Sequence, residues 1–279
     1  MTASAPTPLV IAGAGGRMGR MLTSLAARDP ALRIAGAFEA PGHAGVGTDV
    51  GTLSGTGDVG VRVADSAASA LGQASGGAGR PVLIDFTWPE PSLANLRTAA
   101  ETGAAAVVGT TGFRPEQQRE IEDLARRIPL VQASNMSVGV TLLAEVVTEV
   151  ARRLGDSFDI EVVEAHHRLK KDAPSGTALS LARAAAAGRD ARLEDWGVYG
   201  REGQTGERPR DQIGVLALRG GDVIGDHTVF FFGTGERVEL THRAQSREAF
   251  ASGALRAARW VAGRPPGLYS MHDVLFGTD

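Results

Sequence analysis

The chain has 279 residues, of which 43% are hydrophobic, and its net charge is -3. This composition is typical of a folded globular protein with room for two domains, and it lacks the basic excess of nucleic-acid-binding proteins. The absence of cysteine excludes disulfides, thiolate metal sites and a thiol nucleophile. With no signal peptide or membrane-spanning run evident, the sequence predicts a cytoplasmic protein that binds neither membranes nor nucleic acids.

The first half of the chain alternates short apolar runs with helical patterns. Such alternation is typical of βαβ units and predicts a Rossmann-type α/β domain with a parallel sheet over residues 1–137. The Gly-rich stretches 42–60 and 72–79 are predicted to be loops. Strands are predicted at 8–12, 33–38, 59–64, 81–86, 104–109 and 129–133, and helices near 17–28, 90–102 and 115–127.

A different pattern follows and predicts a second, α+β domain over residues 138–246. Three strands joined by Gly-containing turns, between 213 and 244, indicate a mixed or antiparallel sheet. The final helical pattern belongs to a segment, 247–279, that we expect to return to the first domain. The other elements predicted here are a helix at 139–154, a strand at 158–167, a helix after residue 175, an irregular loop at 197–212 and a helix at 247–263.

A Gly-rich turn follows the first predicted strand and contains Gly13, Gly16 and Gly19. Glycines at such a turn let backbone N–H groups approach a pyrophosphate at a helix N-terminus. Glu39 ends the next predicted strand, where a carboxylate accepts hydrogen bonds from the ribose of a dinucleotide. A Gly-rich turn with only a structural role is the alternative. The threonines of "GTTG", residues 109–112, lie where open α/β sheets bind ligands, and the alternative for them is a structural role as helix caps.

The segment "EAHHRLKKDAPSGTALSLA", residues 164–182, holds two of the six histidines and both lysines among 29 basic residues. Lysine can give up its proton, whereas arginine stays charged, so Lys170 and Lys171 indicate chemistry that arginine cannot perform. On a strand His166 and His167 project to opposite faces, which makes them poor ligands for one metal ion, and no metal site is predicted. Chance retention of the lysines and structural roles for the histidines are the competing interpretations.

A helix start follows the lysines and predicts an anion site. Ser175 is a suitable N-cap, and the N–H groups of Ser175, Gly176 and Thr177 are expected to face a carboxylate. Because the helix dipole contributes only about 0.3–1 kcal/mol, a cation such as Lys170 has to supply much of the binding. A small dicarboxylate substrate fits this arrangement.

Seven segments in the same order resemble the bacterial 4-hydroxy-tetrahydrodipicolinate (dihydrodipicolinate) reductase family over about residues 8–276: "GAGGRMGR", "DFT", "GTTGF", "ASNMSVGV", "EAHHRLKKDAPSGTA", "REGQTGER" and "GERVELTHRAQSREAFASGA". The resemblance implies reduction of a cyclic dicarboxylate by NADH or NADPH in the diaminopimelate route to lysine. It also implies a homotetramer assembled through the sheet of the second domain.

The resemblance implies roles for particular residues. His166 is the acid/base and Lys170 the proton donor, while the substrate carboxylates are bound by His167, Ser175, Gly176 and Thr177. Ala40 stands where some members have arginine, which predicts that NADH is used at least as well as NADPH, and Met136 replaces a common aromatic residue. The implied dinucleotide-binding residues are Gly13, Ala14, Gly15, Gly16, Arg17, Met18, Glu39, Gly109, Thr110, Thr111, Ala133, Ser134, Asn135 and Met136.

Three other functions are alternatives to that of a reductase of this family. Dehydrogenases of the aspartate-semialdehyde type need a cysteine nucleophile, which this chain lacks. A homoserine-type dehydrogenase does not need a histidine pair followed by an anion-binding helix start. A non-catalytic NAD(H)-sensing regulatory protein remains as the alternative from another class, although no basic module for DNA or a partner is evident.

Overall fold

The computed structural model describes residues 5–278, which form two compact units. Unit 1 combines the chain up to Ser137 with the chain from Glu248 onward, and unit 2 is the continuous segment Val138–Arg247. Within the described residues, no helix has both the length and the apolar character that crossing a bilayer requires.

Unit 1 is built on a six-stranded sheet in the order β11-β5-β4-β3-β1-β2, and every neighbouring pair of strands is parallel. The strands are β1 (Thr7–Ala12), β2 (Leu32–Phe38), β3 (Val82–Asp85), β4 (Ala105–Val108), β5 (Pro129–Gln132) and β11 (Gly267–Tyr269). The helices are α1 (Arg17–Ala26), α2 (Val50–Ser54), α3 (Ala67–Ala74), α4 (Pro89–Thr102), α5 (Pro115–Ala125), α9 (Glu248–Val261) and α10 (Met271–Phe276).

Helices cover both faces of this sheet. On one face α3, α4 and α5 pack on apolar side chains of the central strands, such as Leu83 and Val108. On the other face α1 and α9 pack together and against the sheet. Strands buried on both sides are expected in a parallel sheet, and all four residues of β3 and of β4 are buried. The predicted Rossmann-type domain is confirmed.

The strand predicted at 59–64 is wrong. This segment forms only isolated bridges, from Ala64 to the end of β2 and from Arg62 to Asp49. The carboxylate of Asp49 accepts hydrogen bonds from the N–H groups of Val59 and Val61 and also caps α2, so a side chain takes the donors that a sheet would use. A positive φ of 78° at Gly60 interrupts the extended backbone. The prediction of a loop over residues 42–60 is also wrong in part, because this stretch contains α2.

The C-terminal part of unit 1 makes a close contact with the loop after β5. A Cβ atom on Gly253 of α9 would lie 1.7 Å from the carbonyl oxygen of Met136, so only glycine allows this approach. The sequence analysis did not predict α3, α10 or the edge strand β11.

Unit 2 contains a five-stranded sheet in the order β10-β9-β6-β8-β7. The prediction of a mixed or antiparallel sheet is confirmed, because the sheet is mixed. The central strand β6 is parallel to β8 and antiparallel to β9, and α6 and α7 pack on one another and on the sheet core. The elements are α6 (Val138–Leu154), a 3-10 turn (Gly155–Ser157), β6 (Asp159–His166), α7 (Gly176–Ala187), α8 (Leu193–Trp196), β7 (Gly197–Val198), β8 (Ile213–Arg219), β9 (Asp226–Phe232) and β10 (Arg237–Arg243).

The irregular loop predicted at 197–212 begins instead with the short strand β7, and the rest of the segment is joined to β6 by ion pairs. Arg201 and Arg208 both donate to Glu161, with N–O distances of 2.9 Å. Glu161 lies over Gly214 of β8, where a Cβ atom would be only 1.7 Å from its Oε2 atom. Glu161 on β6 therefore anchors both arginines of this loop, and Gly214 leaves room for its carboxylate.

Candidate functional site

The Gly-rich turn of unit 1 has the geometry of a phosphate-binding turn. Gly13 has a φ of +61°, and a Cβ atom on Gly19 would lie 2.2 Å from the carbonyl oxygen of Gly13. Gly16 precedes α1 without a side-chain cap, so no side chain occupies the first-turn N–H groups. Small residues here bring α1 against the end of β1 and leave a helix N-terminus open to an anion.

Glu39 lies beside this turn, one residue after β2. Its Oε1 atom accepts the N–H of Gly15 at 2.8 Å, and its Oε2 atom accepts the N–H of Ala40 at 3.2 Å. A Cβ atom on Gly15 would approach both Glu39 and the ring of His43, at 3.1 and 2.6 Å. The Gly-rich turn, Glu39 and His43 therefore form one cluster. His43 was not among the residues predicted from the sequence to belong to this site.

A cavity of about 510 Å³ opens beside Gly13 and Glu39. Its walls are mostly apolar and come from the ends of β2 and β3 and from α3 and α4, with Thr87, Trp88 and Ala67 among the lining residues. An apolar cavity next to an open helix N-terminus and the Glu39 carboxylate has the character of a site for the adenosine half of a dinucleotide.

Asp85, at the end of β3, organises the neighbouring loops. It is fully buried and accepts hydrogen bonds from the backbone and hydroxyl of Thr87, from Asn95 and from Thr110. Thr110 is therefore held by Asp85 and does not cap α5, whose N-cap is Arg114. The capping alternative for this threonine is wrong.

The two remaining predicted dinucleotide segments follow β4 and β5. A Cβ atom on Gly109 would lie 2.1 Å from the ring of Phe86, so this loop also depends on glycine. The side chain of Met136 is buried in unit 1, whereas Ser134 is exposed. Met136 can thus shape the loop but cannot present its side chain to a ligand. Both segments lie at the carboxyl edge of the sheet, where the Gly-rich turn also lies.

In unit 2 the centre of the site is Glu164, a fully buried carboxylate on β6. His166 lies two residues further along the same face, and its Nδ1 atom is 2.6 Å from Glu164 Oε2. Arg219 donates to both oxygens at 2.8 Å, and the N–H of Ser175 donates to Oε1 at 2.9 Å. Burial by itself raises the pKa of Glu164, but the hydrogen bonds from Arg219, His166 and Ser175 outweigh burial and hold that pKa below its usual value.

His227, on β9, is a second buried imidazole in this site. Its ring centroid lies 5.2 Å from that of His166 in an edge-on arrangement, and its Nε2 atom is 3.1 Å from Ser175 Oγ. Burial, with His166 as a smaller cause, lowers the pKa of His227 to about 4. At neutral pH His227 is therefore neutral.

The segment between β6 and α7 places the two lysines differently. The Nζ atom of Lys170 is 2.9 Å from Asp172, and 21% of the Lys170 side chain is exposed. Lys171 is exposed. Burial by itself raises the pKa of Asp172, but the hydrogen bond from Lys170, a backbone hydrogen bond and the charges of Lys170 and Arg219 together outweigh burial and lower that pKa. His167 lies between β6 and Lys170, and its backbone N–H donates to Val223 at 2.7 Å.

The start of α7 requires a correction. The N–H of Ser175 was expected to be free for a ligand, but it is committed to Glu164, and the buried Ser175 hydroxyl caps α7 through the N–H of Ala178. Ser175 therefore shapes the site without facing a ligand. Gly176 is exposed, and a Cβ atom there would meet no atom within 4 Å. The open side of this helix start lies at Gly176.

Glu164 thus joins His166 to the start of α7, and Lys170 lies in the segment between them, paired with Asp172. Sequence reasoning missed Glu164, Arg219 and His227. Alternation along β6 was a usable signal for Glu164, since residues two apart on a strand share a face. Arg219 and His227 come from β8 and β9, and no local pattern connects them with β6. Within residues 5–278 no group of acidic or histidine side chains has a metal-binding arrangement.

Both halves of the chain match family models. Residues 7–136 match the model for the N-terminus of dihydrodipicolinate reductase, and residues 139–275 match the model for its C-terminus. The 4-hydroxy-tetrahydrodipicolinate reductase of Anaeromyxobacter sp. strain Fw109-5 is 52% identical over 267 residues, which are 96% of this chain and 97% of that protein. The enzyme of the same name from Myxococcus xanthus is 52% identical over 266 residues, which are 95% and 96% of the two chains.

Solved structures share the fold. Dipicolinate-bound dihydrodipicolinate reductase from Paenisporosarcina sp. TG-14 superposes with a TM-score of 0.73 at 23% identity, over 97% of this chain and 100% of that one. GenD2 from gentamicin A biosynthesis, solved in complex with NAD, superposes with a TM-score of 0.60 at 13% identity, over 95% and 89% of the two chains. At these identities the likeness concerns the fold.

Proposed function

The chain belongs to the dihydrodipicolinate reductase family, and from this premise we propose how its residues carry out the family's reaction. The protein is an oxidoreductase that reduces 4-hydroxy-tetrahydrodipicolinate to tetrahydrodipicolinate, with release of water, using a nicotinamide dinucleotide. The observation that carries this conclusion is the near 50% identity to named reductases along almost the whole chain. The family predicted from the sequence is confirmed, and nothing found favours the sensor alternative.

In our proposal, unit 1 binds the dinucleotide. The pyrophosphate lies at the open start of α1, the adenosine ribose hydroxyls bond to Glu39, and the adenine occupies the neighbouring cavity. When bound, the reduced nicotinamide supplies the hydride. The loops after β4 and β5, which Asp85 and Gly253 hold in place, complete the site.

Unit 2 binds the dicarboxylate and supplies the proton. Hydride addition to a conjugated C=C/C=N unit leaves negative charge, which a proton must quench. His166 is the acid, and Lys170 assists as a proton donor and as the cation for a substrate carboxylate. Gly176, Thr177 and His167 provide further contacts to the carboxylates. This assignment is supported by the single network that joins His166 to the start of α7 through Glu164.

The open position at Gly176 leads to a prediction about substrate binding. A methyl group in Gly176→Ala has no protein atom within 4 Å, so the variant should fold as stably as the wild type. If a carboxylate docks against this backbone, the methyl group obstructs it, and KM for the substrate should rise at least about tenfold, the value of one hydrogen bond to a charged group. Steady-state kinetics and a melting curve check both statements. Gly72→Ala, another open and exposed helical glycine, is the matched control. An unchanged KM would remove Gly176 from the substrate site.

The cofactor site leads to a second prediction, that NADH is used at least as well as NADPH. Glu39 repels a 2'-phosphate, and Ala40 offers no charge to compensate it. Ala40→Arg should therefore raise kcat/KM for NADPH by about two- to fivefold, the value of one exposed charge pair, without improving NADH. Ala27→Arg places the same charge at an exposed position away from the cavity and should change neither. A clear NADPH advantage in the unaltered protein would contradict the prediction.

A coupled assay tests the function itself. The preceding synthase makes the substrate in place from pyruvate and aspartate semialdehyde, while NADH and NADPH oxidation are followed separately. Synthase-dependent oxidation supports the reductase. Binding of NADH without oxidation of either dinucleotide would point to the sensor or to another dehydrogenase.

We also propose that the protein acts in the cytoplasm as a homotetramer assembled through the sheet of unit 2. The exposed face of this sheet carries Leu218, Phe230 and Phe232, and the two phenylalanine rings stack at 5.5 Å. Sedimentation equilibrium would distinguish a tetramer from a dimer.

A further inference from the structure

Glu164 uses its full capacity to accept hydrogen bonds. One oxygen accepts from Ser175 and Arg219, and the other accepts from His166 and Arg219, at distances between 2.6 and 2.9 Å. A carboxylate has about four acceptor positions, and all four are filled here. A group that is fully buried yet completely bonded is an ordered part of the site, and its geometry is transmitted to each partner.

This arrangement determines which nitrogen of His166 can react. An ionised carboxylate only accepts hydrogen bonds, so His166 Nδ1 must carry its hydrogen in both charge states of the ring. The proton that is gained or lost is then the one at Nε2. Among residues 5–278 no group makes a hydrogen bond to Nε2, and a Cβ atom on Gly225 would lie 3.0 Å from it. The absence of a side chain at Gly225 therefore leaves room beside Nε2.

The same carboxylate also reaches the helix that faces the substrate. Through the Ser175 N–H, Glu164 is fixed to the N-terminus of α7, one residue before Gly176. The other charged or titratable groups around it are Arg219, His227, Lys170 and Asp172, of which Lys170 and Asp172 pair with each other. None of these can replace Glu164 as the acceptor for Nδ1, because none bonds to that atom.

We propose that Glu164 is a positioning residue that fixes Nε2 as the proton-exchanging nitrogen of His166 and joins this imidazole to the start of α7. The proposal rests on the proposed reduction and deepens it. Because Glu164 is fully buried and its acceptor positions are filled, we expect it to make no contact with the substrate, so its removal should lower kcat and leave KM little changed.

The test compares two Glu→Gln variants on the same strand. Glu164→Gln keeps the shape but removes the charge and two acceptor positions, and it should lower kcat by about 10- to 1,000-fold with less than about a threefold change in KM. Glu161→Gln also breaks two contacts to arginine, from Arg201 and Arg208, but lies away from His166. It should leave kcat within about twofold of the wild type. Equal kcat values in the two variants would overturn the proposal.

A second measurement does not depend on activity or on the stability of a variant. The six histidines of the wild-type protein are labelled with ¹⁵N, and the His166 signals are assigned by their loss in His166→Gln. Neutral His166 should carry its hydrogen on Nδ1, and in Glu164→Gln this preference should weaken. A wild-type ring with its hydrogen on Nε2 would overturn the proposal even if the enzyme is active. If the coupled assay instead shows no oxidation while the Nδ1–H form is observed, the proposed function fails and the link between Glu164 and His166 stands.

Discussion

Replacing His166 by glutamine should lower kcat by about 100- to 10,000-fold, the range usual for loss of a general acid. Glutamine can fill the space and accept a hydrogen bond, but it cannot deliver a proton. His227 is 5.2 Å away between ring centroids, yet it cannot substitute, because its pKa of about 4 leaves it neutral at the pH of the assay. Stopped-flow measurement of a single turnover would assign the loss to the chemical step.

The control for this experiment is dinucleotide binding, which we have proposed for unit 1. The Kd for NADH, measured by fluorescence, should be the same in His166→Gln and in the wild type. A kcat near that of the wild type would reject His166 as the acid, whatever the binding data show.

Replacing Lys170 by alanine should raise the substrate KM by about 10- to 150-fold, the value of one charge-assisted hydrogen bond, and should also lower kcat. The half-buried Lys170 ammonium is held beside Asp172, whereas Lys171 is exposed. Lys171→Ala is therefore the matched control and should change KM and kcat by less than about twofold. Initial rates across a range of substrate concentrations separate the two parameters.

The comparison of the two lysines also tests the interpretation of the sequence. If chance left both lysines in an arginine-rich chain, the two variants should behave alike. Equal, large losses of activity in Lys170→Ala and Lys171→Ala would contradict the assignment of Lys170 as the proton donor.

The architecture could be predicted from the sequence because burial of helices and strands gives a regular spacing of apolar residues. Parallel strands with apolar residues on both faces and helices with a three- to four-residue repeat were found where such patterns are uninterrupted. The segment 59–64 has the same apolar alternation, but Asp49, ten residues earlier, takes its backbone donors. A hydrogen bond from a distant side chain leaves no periodicity, so the prediction failed there.

The candidate site was predicted to the extent that its residues are neighbours in sequence. The histidine pair, the lysine and the helix start lie within twelve residues, 166–177, and their chemistry could be inferred from their types. The partners that orient them come from other strands. Arg219 is 55 residues from Glu164, and His227 is 52 residues from Ser175. Only the pairing of β6 with β8 and β9 brings them together.

Glu164 also explains why the prediction for Ser175 was incomplete. A helix start was expected to offer its first N–H groups to a ligand, as isolated helices do. Here the protein already places its own carboxylate against the Ser175 N–H. Part of the positive end of α7 therefore stabilises an internal anion, and the proposed substrate site is left with the remaining groups and Lys170.

The division of unit 1 between two distant parts of the chain has a consequence for biosynthesis. During translation β1 to β5 leave the ribosome first, followed by all of unit 2, and only then by α9 and β11. Until α9 emerges, the face of the sheet that it covers stays open to water and to chaperones. Unit 2 comes from one continuous segment and can complete its core earlier. Unit 2 of the newly made protein should thus complete its fold before unit 1, the reverse of the order in which the two units begin along the chain.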